Sequence, residues 1–302
     1  MGERHMPAAA ELIEILARLG LPGIREDELR PFTDGEDGTP YAVWHVRRGG
    51  ESWVLKRAKG LELAVYRSFF RERRPYVPAF LGSVDCEGES YFLMEYCPGE
   101  TLCRCDRPRL TLALDALTDM QEEFWQREEL YDAGCTMERD LAAIADRGRY
   151  LGSARLERVY GDFVSLYRQT PRSLCHDDLL PFNVLVGRRA VLIDWEYGGI
   201  LPYPGPFARL IAHCREEEGS FFTMSREDRD FAIDYYYARL PAKHGISYEA
   251  YRRTLDYFLF YEYCEWIMLG NRYDSREDER YRSSLERAEA LADRLLPQDP
   301  GT

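Results

Sequence analysis

Lysine is the residue this sequence almost does without. Of its 40 basic residues, Lys56, Lys59 and Lys243 are lysines and the other 37 are arginines. A compact ammonium in such a chain invites a specific reason, and contact with phosphate supplies one. Basic charge is short as a whole: 53 acidic residues leave a formal net charge of -13 and a pI near 5.0. That balance argues against a sequence-independent nucleic-acid binder, whose affinity comes from a basic stripe that displaces counterions. No apolar run approaches the roughly 20 residues needed to cross a bilayer. The N-terminus lacks the charged segment, apolar core and small-residue cleavage site of a secretory signal. A cytoplasmic protein with no membrane and no nucleic-acid partner is expected, and no segment marks a protein partner. The eight cysteines form no C-x-x-C pair, and Cys103-x-Cys105 lacks a matching His or Cys set for zinc, so reduced, buried thiols are expected. A G-x-G-x-x-G loop is also missing. Thr33 to Thr39 holds two glycines with acids between them, which suits phosphate contact poorly and fits an ordinary hairpin turn equally well.

What is present is enough for a large core. With 302 residues, 45% hydrophobic and 13% aromatic, the chain supports one large or two moderate cores, and two lobes are the natural expectation. The stretch from Ser173 to Gly198 is the most informative. In it His176-x-Asp178 is followed after four residues by Asn183. Two short apolar runs, Val184 to Val186 and Val191 to Ile193, read as strands joined through Gly187, and the second delivers Asp194. This pairing would set Asn183 and Asp194 side by side at the open end of a hairpin. Transfer of a γ-phosphoryl group needs a carboxylate to orient the attacking hydroxyl and take its proton, and oxygen ligands to hold magnesium against the triphosphate. Asp178 fits the first role, Asn183 and Asp194 the second. His176 reads as support for the loop by hydrogen bonding rather than as a participant in the chemistry.

These two motifs, in this order and spacing, resemble the aminoglycoside phosphotransferase and choline kinase superfamily. The resemblance implies an α+β, bilobal protein-kinase-like fold, with a small antiparallel β-sheet lobe over residues 1–97 and a larger, mainly helical lobe over 98–302. It implies Mg2+ as cofactor, ATP or GTP as phosphoryl donor, and a small polar, hydroxyl-bearing and cationic acceptor. Lys56, ending the alternating run Ser52 to Lys56, matches the lysine that touches the α- and β-phosphates. Glu62, opening an amphipathic helix over 61–73, matches its ion-pair glutamate, with Glu72 as the lesser candidate. Glu95, Tyr96 and Cys97 look like the hinge whose backbone reads the nucleotide base, and Pro98 and Gly99 mark the lobe boundary. Glu196 is a further contact near the metal.

Other segments flesh out this reading. Helical spacing appears over 8–19, 110–125, 137–147 and 154–167. Four strands are convincing, at 41–46, 52–56, 80–84 and 91–96. Gly198 to Phe207 reads as a rigid loop before a helix over 208–215, and here the chain departs from the family: Pro206 and Phe207 stand where an aspartate usually braces the catalytic loop. The last third is rich in acids and tyrosines, including Asp228, Asp230, Asp234, Tyr235 to Tyr237 and the run Tyr257 to Trp266. Carboxylates could hold an amino sugar, and aromatic rings a quaternary ammonium; packing of one helical face is the plainer account. The acceptor choice stays open between an aminoglycoside type and a choline or ethanolamine type. A catalytically silent kinase-like binding module is the alternative of another class.

Overall fold

Leu12, Ile15 and Leu16 recur on one face of a ten-residue segment and fold it into helix α1, Ala9–Arg18. The computed structural model describes residues 6–35, 38–217 and 220–296; Glu36 and Asp37 of the polar turn lie outside these. Strands β1 (Leu29–Thr33), β2 (Pro40–Arg48) and β3 (Glu51–Arg57) follow, then helix α2 (Glu62–Phe69), then β4 (Phe80–Cys86) and β5 (Glu89–Glu95). They form one antiparallel sheet in the order β1-β2-β3-β5-β4. The strand not anticipated is β1. It carries Pro31, is largely exposed and lies at the sheet edge, where a missing amide costs no ladder bond.

The central strands are buried on both faces. Leu55 and Leu93 join Trp44, Val46 and the α1 residues in a core on one side of the sheet. Val54, Phe92 and Met94 face the other way, into a core that runs through Tyr66 and Phe69 of α2 and on into the helical part. Side chains alternate along a strand, so Lys56 lies on the same face as Val54, toward the rest of the molecule.

The chain leaves β5 through Tyr96 to Gly99 and makes a short strand β6 (Glu100–Thr101) that pairs with Leu185 and Val186. A Cβ on Gly187 would sit 2.4 Å from the Pro98 carbonyl oxygen, and one on Gly99 would sit 2.9 Å from the Val186 backbone. Glycine at both positions lets the linker and the hairpin touch.

Helices α3 (Arg107–Glu123), α4 (Met137–Arg147) and α5 (Ala154–Gln169) come next, each opened by a side-chain cap, from Asp106, Thr136 and Ser153. Caps of this kind contribute about 1 kcal/mol each. Strand β7 (Arg172–His176) leads to the turn at Pro181–Asn183, the hairpin β8 (Val184–Val186) and β9 (Ala190–Leu192), and strand β10 (Gly198–Pro202). This last element corrects the expected loop: Gly198 to Pro202 pairs antiparallel with β7 along its whole length. The reason is close approach, because a Cβ on Gly199 would lie 2.1 Å from the Cys135 carbonyl oxygen. Helix α6 (Pro204–Ala212) then starts earlier than expected, with Pro204 at its first position, where a missing amide is harmless.

Helices α7 (Arg226–Arg239), α8 (Tyr248–Tyr273) and α9 (Glu279–Leu295) complete the α+β fold. The tyrosines of α7 are packing residues. Tyr236 is fully buried and donates to Gln121 Oε1 at 2.6 Å, while Tyr235 donates to Asp115 on α3. Among the described residues no helix is long and apolar enough to cross a membrane.

Candidate active site

Lys56 comes to the cleft because β3 is the middle strand of the sheet and Lys56 is near its end. Its Nζ lies 2.7 Å from Glu62 Oε1, on the first turn of α2, and 2.6 Å from Asp194 Oδ1, just beyond β9. Lys56 is 6% exposed and Glu62 is fully buried. Burial alone would push the ammonium down, yet the two carboxylates outweigh it and leave the Lys56 pKa raised. Burial likewise works against ionised Asp194, but Lys56 wins and holds that carboxyl below its ordinary value. Glu62 goes the other way. Burial raises it more than Lys56 lowers it, so it is the weaker acid of the pair. Its Oε2 has no hydrogen-bond partner among the described residues.

Asp194 adopts φ of 65°, a left-handed conformation uncommon for a residue with a side chain, although aspartate tolerates it better than most. The approach to it is tightly built. Leu192 donates its amide to the Tyr76 carbonyl, and Ile193 donates to the Asn183 carbonyl at 2.9 Å, closing the mouth of the β8-β9 hairpin. The Asn183 amide group donates to the Asp178 carbonyl at 2.8 Å, which leaves its own Oδ1 for another partner. His176 is buried, and its Nε2 lies 2.7 Å from the Ile193 carbonyl, so it must carry a proton there. Burial lowers its pKa. On the other side, a Cβ on Gly60 would meet the Glu196 side chain at 2.7 Å, and Leu61 donates its amide to the Glu196 carbonyl.

The Asp178 side chain points to a residue that the sequence reading missed. Arg209 on α6 donates to Asp178 Oδ1 from both Nε, at 2.9 Å, and an Nη, at 2.8 Å. Its other Nη reaches Glu262 at 2.9 Å and Glu265 at 3.0 Å on α8. Burial alone would lower the Arg209 pKa, but Glu262, Glu265 and Asp178 raise it. The Glu262 carboxyl is kept low by Arg209 and by His213, 3.2 Å away, in spite of its burial. The place of the family's bracing aspartate is filled otherwise. Phe207 stacks on Tyr236, with centroids 4.2 Å apart, and Arg209 two residues on ties the loop to α8. Glu262 and Glu265 lie three apart on one helical face, which is a readable pattern; Arg209 carries no signal in a chain with so many arginines.

The expected hinge residues stand apart from this centre, at the end of β5. The Glu95 amide bonds to the Ala79 carbonyl, and its carboxylate receives the Ala79 amide and Arg189 from the β8-β9 turn, both at 3.1 Å. The Tyr96 ring stacks on His45, with centroids 4.2 Å apart. Burial raises the Cys97 thiol to about 11. Among the described residues no three His, Cys, Asp or Glu side chains gather to hold a metal ion. Asn183 and Asp194 offer one amide oxygen and one carboxylate. That set fits magnesium, which takes one or two protein ligands and completes its shell with water and phosphate.

The model of the phosphotransferase enzyme family, APH, matches residues 28–238. The chain belongs to this family. The chain is 24% identical over 115 residues to Protein LicA of Haemophilus influenzae, which is 38% of this chain and 40% of that protein. The match thus spans less than half of that relative. Among solved structures, a thermostable mutant of aminoglycoside phosphotransferase APH(4)-Ia, in ternary complex with ADP and hygromycin B, superposes with a TM-score of 0.58 at 16% identity, covering 94% of this chain and 98% of that one. Choline kinase LicA from Streptococcus pneumoniae gives 0.56 at 15% identity, covering 95% and 99%. The fold is the one these small-molecule phosphotransferases share.

Proposed function

We propose that this phosphotransferase moves the γ-phosphoryl group of ATP or GTP to a hydroxyl of a small polar molecule in the cytoplasm. The observation that carries the reading is the Lys56 ammonium, at the end of β3, held between Glu62 of α2 and Asp194 just beyond β9. Residues 1–97 form the nucleotide-binding lobe and 98–302 the catalytic lobe. Lys56 binds the α- and β-phosphates, and Glu62 orients it. Glu95, Tyr96 and Cys97 supply the hinge. The Glu95 amide is taken by Ala79, so reading the base edge falls mainly to the backbone of Tyr96 and Cys97. Asn183 Oδ1 and Asp194 would hold Mg2+. When bound, the ion neutralises charge on the phosphate oxygens.

Asp178 orients the acceptor hydroxyl. Arg209 occupies its Oδ1, which leaves Oδ2 to take the hydroxyl proton. The acceptor oxygen forms a bond to the γ-phosphorus, the bond from that phosphorus to the bridging oxygen breaks, and the nucleoside diphosphate leaves with the electron pair. His176 keeps the loop in register through the Ile193 carbonyl and moves no proton to substrate.

The test is nucleotide consumption with a panel of hydroxyl compounds, run beside Mg-dependent ADP binding. Asp178→Ala is expected to abolish turnover and keep ADP binding, and Asp194→Ala to weaken the magnesium-dependent part of that binding. Full turnover by Asp178→Ala would remove this residue from the mechanism. A choline or ethanolamine type of acceptor is the second reading, favoured by the similarity in fold to choline kinase LicA from Streptococcus pneumoniae. Phosphorylation of choline but of no sugar hydroxyl would establish it. Nucleotide binding without turnover on any acceptor would mark a silent module.

A further inference from the structure

Behind Arg209 a cavity of about 730 Å³ opens between α6, α8 and the first turns of α9. Leu180 and Arg209 form its inner end, so it begins at the catalytic loop. Tyr263, Trp266, Phe221 and Phe222 give it an apolar body. Its charges decide what it can receive. Each lining carboxylate already has a guanidinium: Glu265 has Arg209 at 3.0 Å, Asp278 has Arg280 at 3.0 Å, and Glu279 has Arg215 at 3.6 Å. Arg287 is the remaining cation. It is half-buried and has no carboxylate partner among the described residues; one Nη donates to the Ala212 carbonyl at 3.2 Å.

The aromatic rings point the same way. A quaternary ammonium needs an open ring face. Here Arg280 lies over Trp266 at 4.6 Å from the centroid, and Arg287 over Tyr263 at 5.5 Å. A cationic acceptor would have to displace a guanidinium from Trp266 and from Tyr263, while Phe221 and Phe222 pack edge to face on each other. An anion would instead supply a counter-ion that Arg287 has nowhere among the described residues, and a partly desolvated guanidinium gains most from a carboxylate or phosphate met by its planar fork.

We infer that the acceptor carries an anionic group, a carboxylate or a phosphate ester, seated against Arg287 with its hydroxyl directed toward Asp178. This rests on the phosphotransferase reading and narrows its substrate class. Arg215, whose partner Glu279 is exposed, stands on the same wall as a second contact.

Binding is measured on the full chain with the nucleotide site filled by Mg-ADP, at constant ionic strength set with chloride. Sodium phosphate and malonate are the anion probes, choline and glycerol the cationic and neutral ones. Phosphate or malonate is expected to bind more tightly than choline or glycerol. Arg287→Gln should weaken that binding about tenfold, the loss of one charge-assisted contact. Arg287→Lys should keep most of it, and Arg282→Gln, on the exposed face of α9, should change nothing. Preference for malonate assigns a carboxylate, and preference for phosphate a phosphate ester. Equal anion affinity in wild type and Arg287→Gln overturns the inference, as does tighter binding of choline. If Arg287→Gln does not fold, Arg287→Met and Arg215→Gln carry the comparison, and unchanged affinity in both counts against it. Failure of Mg-ADP to bind at all would instead remove the phosphotransferase reading beneath it.

Discussion

Two clusters face the cleft, each a single cation among carboxylates, and they are built differently. Lys56 is an ammonium between Glu62 and Asp194. Arg209 is a guanidinium shared by Asp178, Glu262 and Glu265. Around the lysine, buried Glu62 is a weakened acid and can be relieved of its charge by a proton. Around the arginine, Glu262 is a strengthened acid that depends on its partner. A point charge on a flexible stem can turn to a phosphate, whereas a planar fork fixes the directions of the groups it holds. The first cluster is suited to exchanging partners and the second to holding Asp178 still.

The largest effect separates chemistry from both scaffolds. Asp178→Asn keeps the shape of the Arg209 contact and removes the base, so kcat should fall by about 10²- to 10⁴-fold with ADP affinity unchanged. Stopped-flow or coupled kinetics beside ADP titration checks this.

Next comes the contrast itself. Arg209→Met leaves Glu262 buried without its cation and should destabilise the fold by about 3–5 kcal/mol in denaturant unfolding. Lys56→Met should cost less, about 1–3 kcal/mol, because Glu62 can take up a proton. Both deficits should shrink on acidification, but in different pH windows. The Glu262 carboxyl is depressed in the fold, so its contribution is present above its ordinary value and is lost as pH falls through the folded one. Glu62 is raised, so the Lys56→Met deficit should shrink on acidification. Equal losses with equal pH dependence would erase the distinction between the clusters.

A smaller effect sits beside Asp178. Burial next to Asp140 pushes the Asp177 carboxyl well up, so its ionisation opposes folding as pH rises above the ordinary aspartate value. Asp177→Asn should therefore gain about 1 kcal/mol near pH 7, seen as a rise in Tm, and nothing near pH 3.

The smallest change is in slope. His176 has its pKa lowered by burial from the ordinary 6.5, so the unfolded chain binds the proton first and stability falls as pH drops below that value. His176→Gln should flatten the Tm profile between pH 7 and 5. An unaltered slope would mean that His176 is not held neutral.

Much of the site was legible because its residues lie in one short stretch. Asp178, Asn183 and Asp194 are separated by a turn and a hairpin, and short-range bonds link that stretch, from Asn183 to the Asp178 carbonyl and from Ile193 to the Asn183 carbonyl. Four of the five sheet strands show alternation or an apolar run; β1, broken by Pro31 and exposed, does not. The strand Gly198 to Pro202 was hidden because its glycines signal a loop by themselves, and only the backbone of Cys135 against Gly199 explains them.

Sequence alone determined the family, the α+β class and most of the strands and helices, since these depend on spacing and side-chain type along neighbouring residues. Tertiary structure decided which of many arginines holds Asp178, which acids of α8 it shares, and which cation lining the cavity is left without a carboxylate among the described residues. Those outcomes join α6, α8 and α9 across long separations. Charge pairing at such range is set by where whole helices pack, and packing is a property of the assembled core.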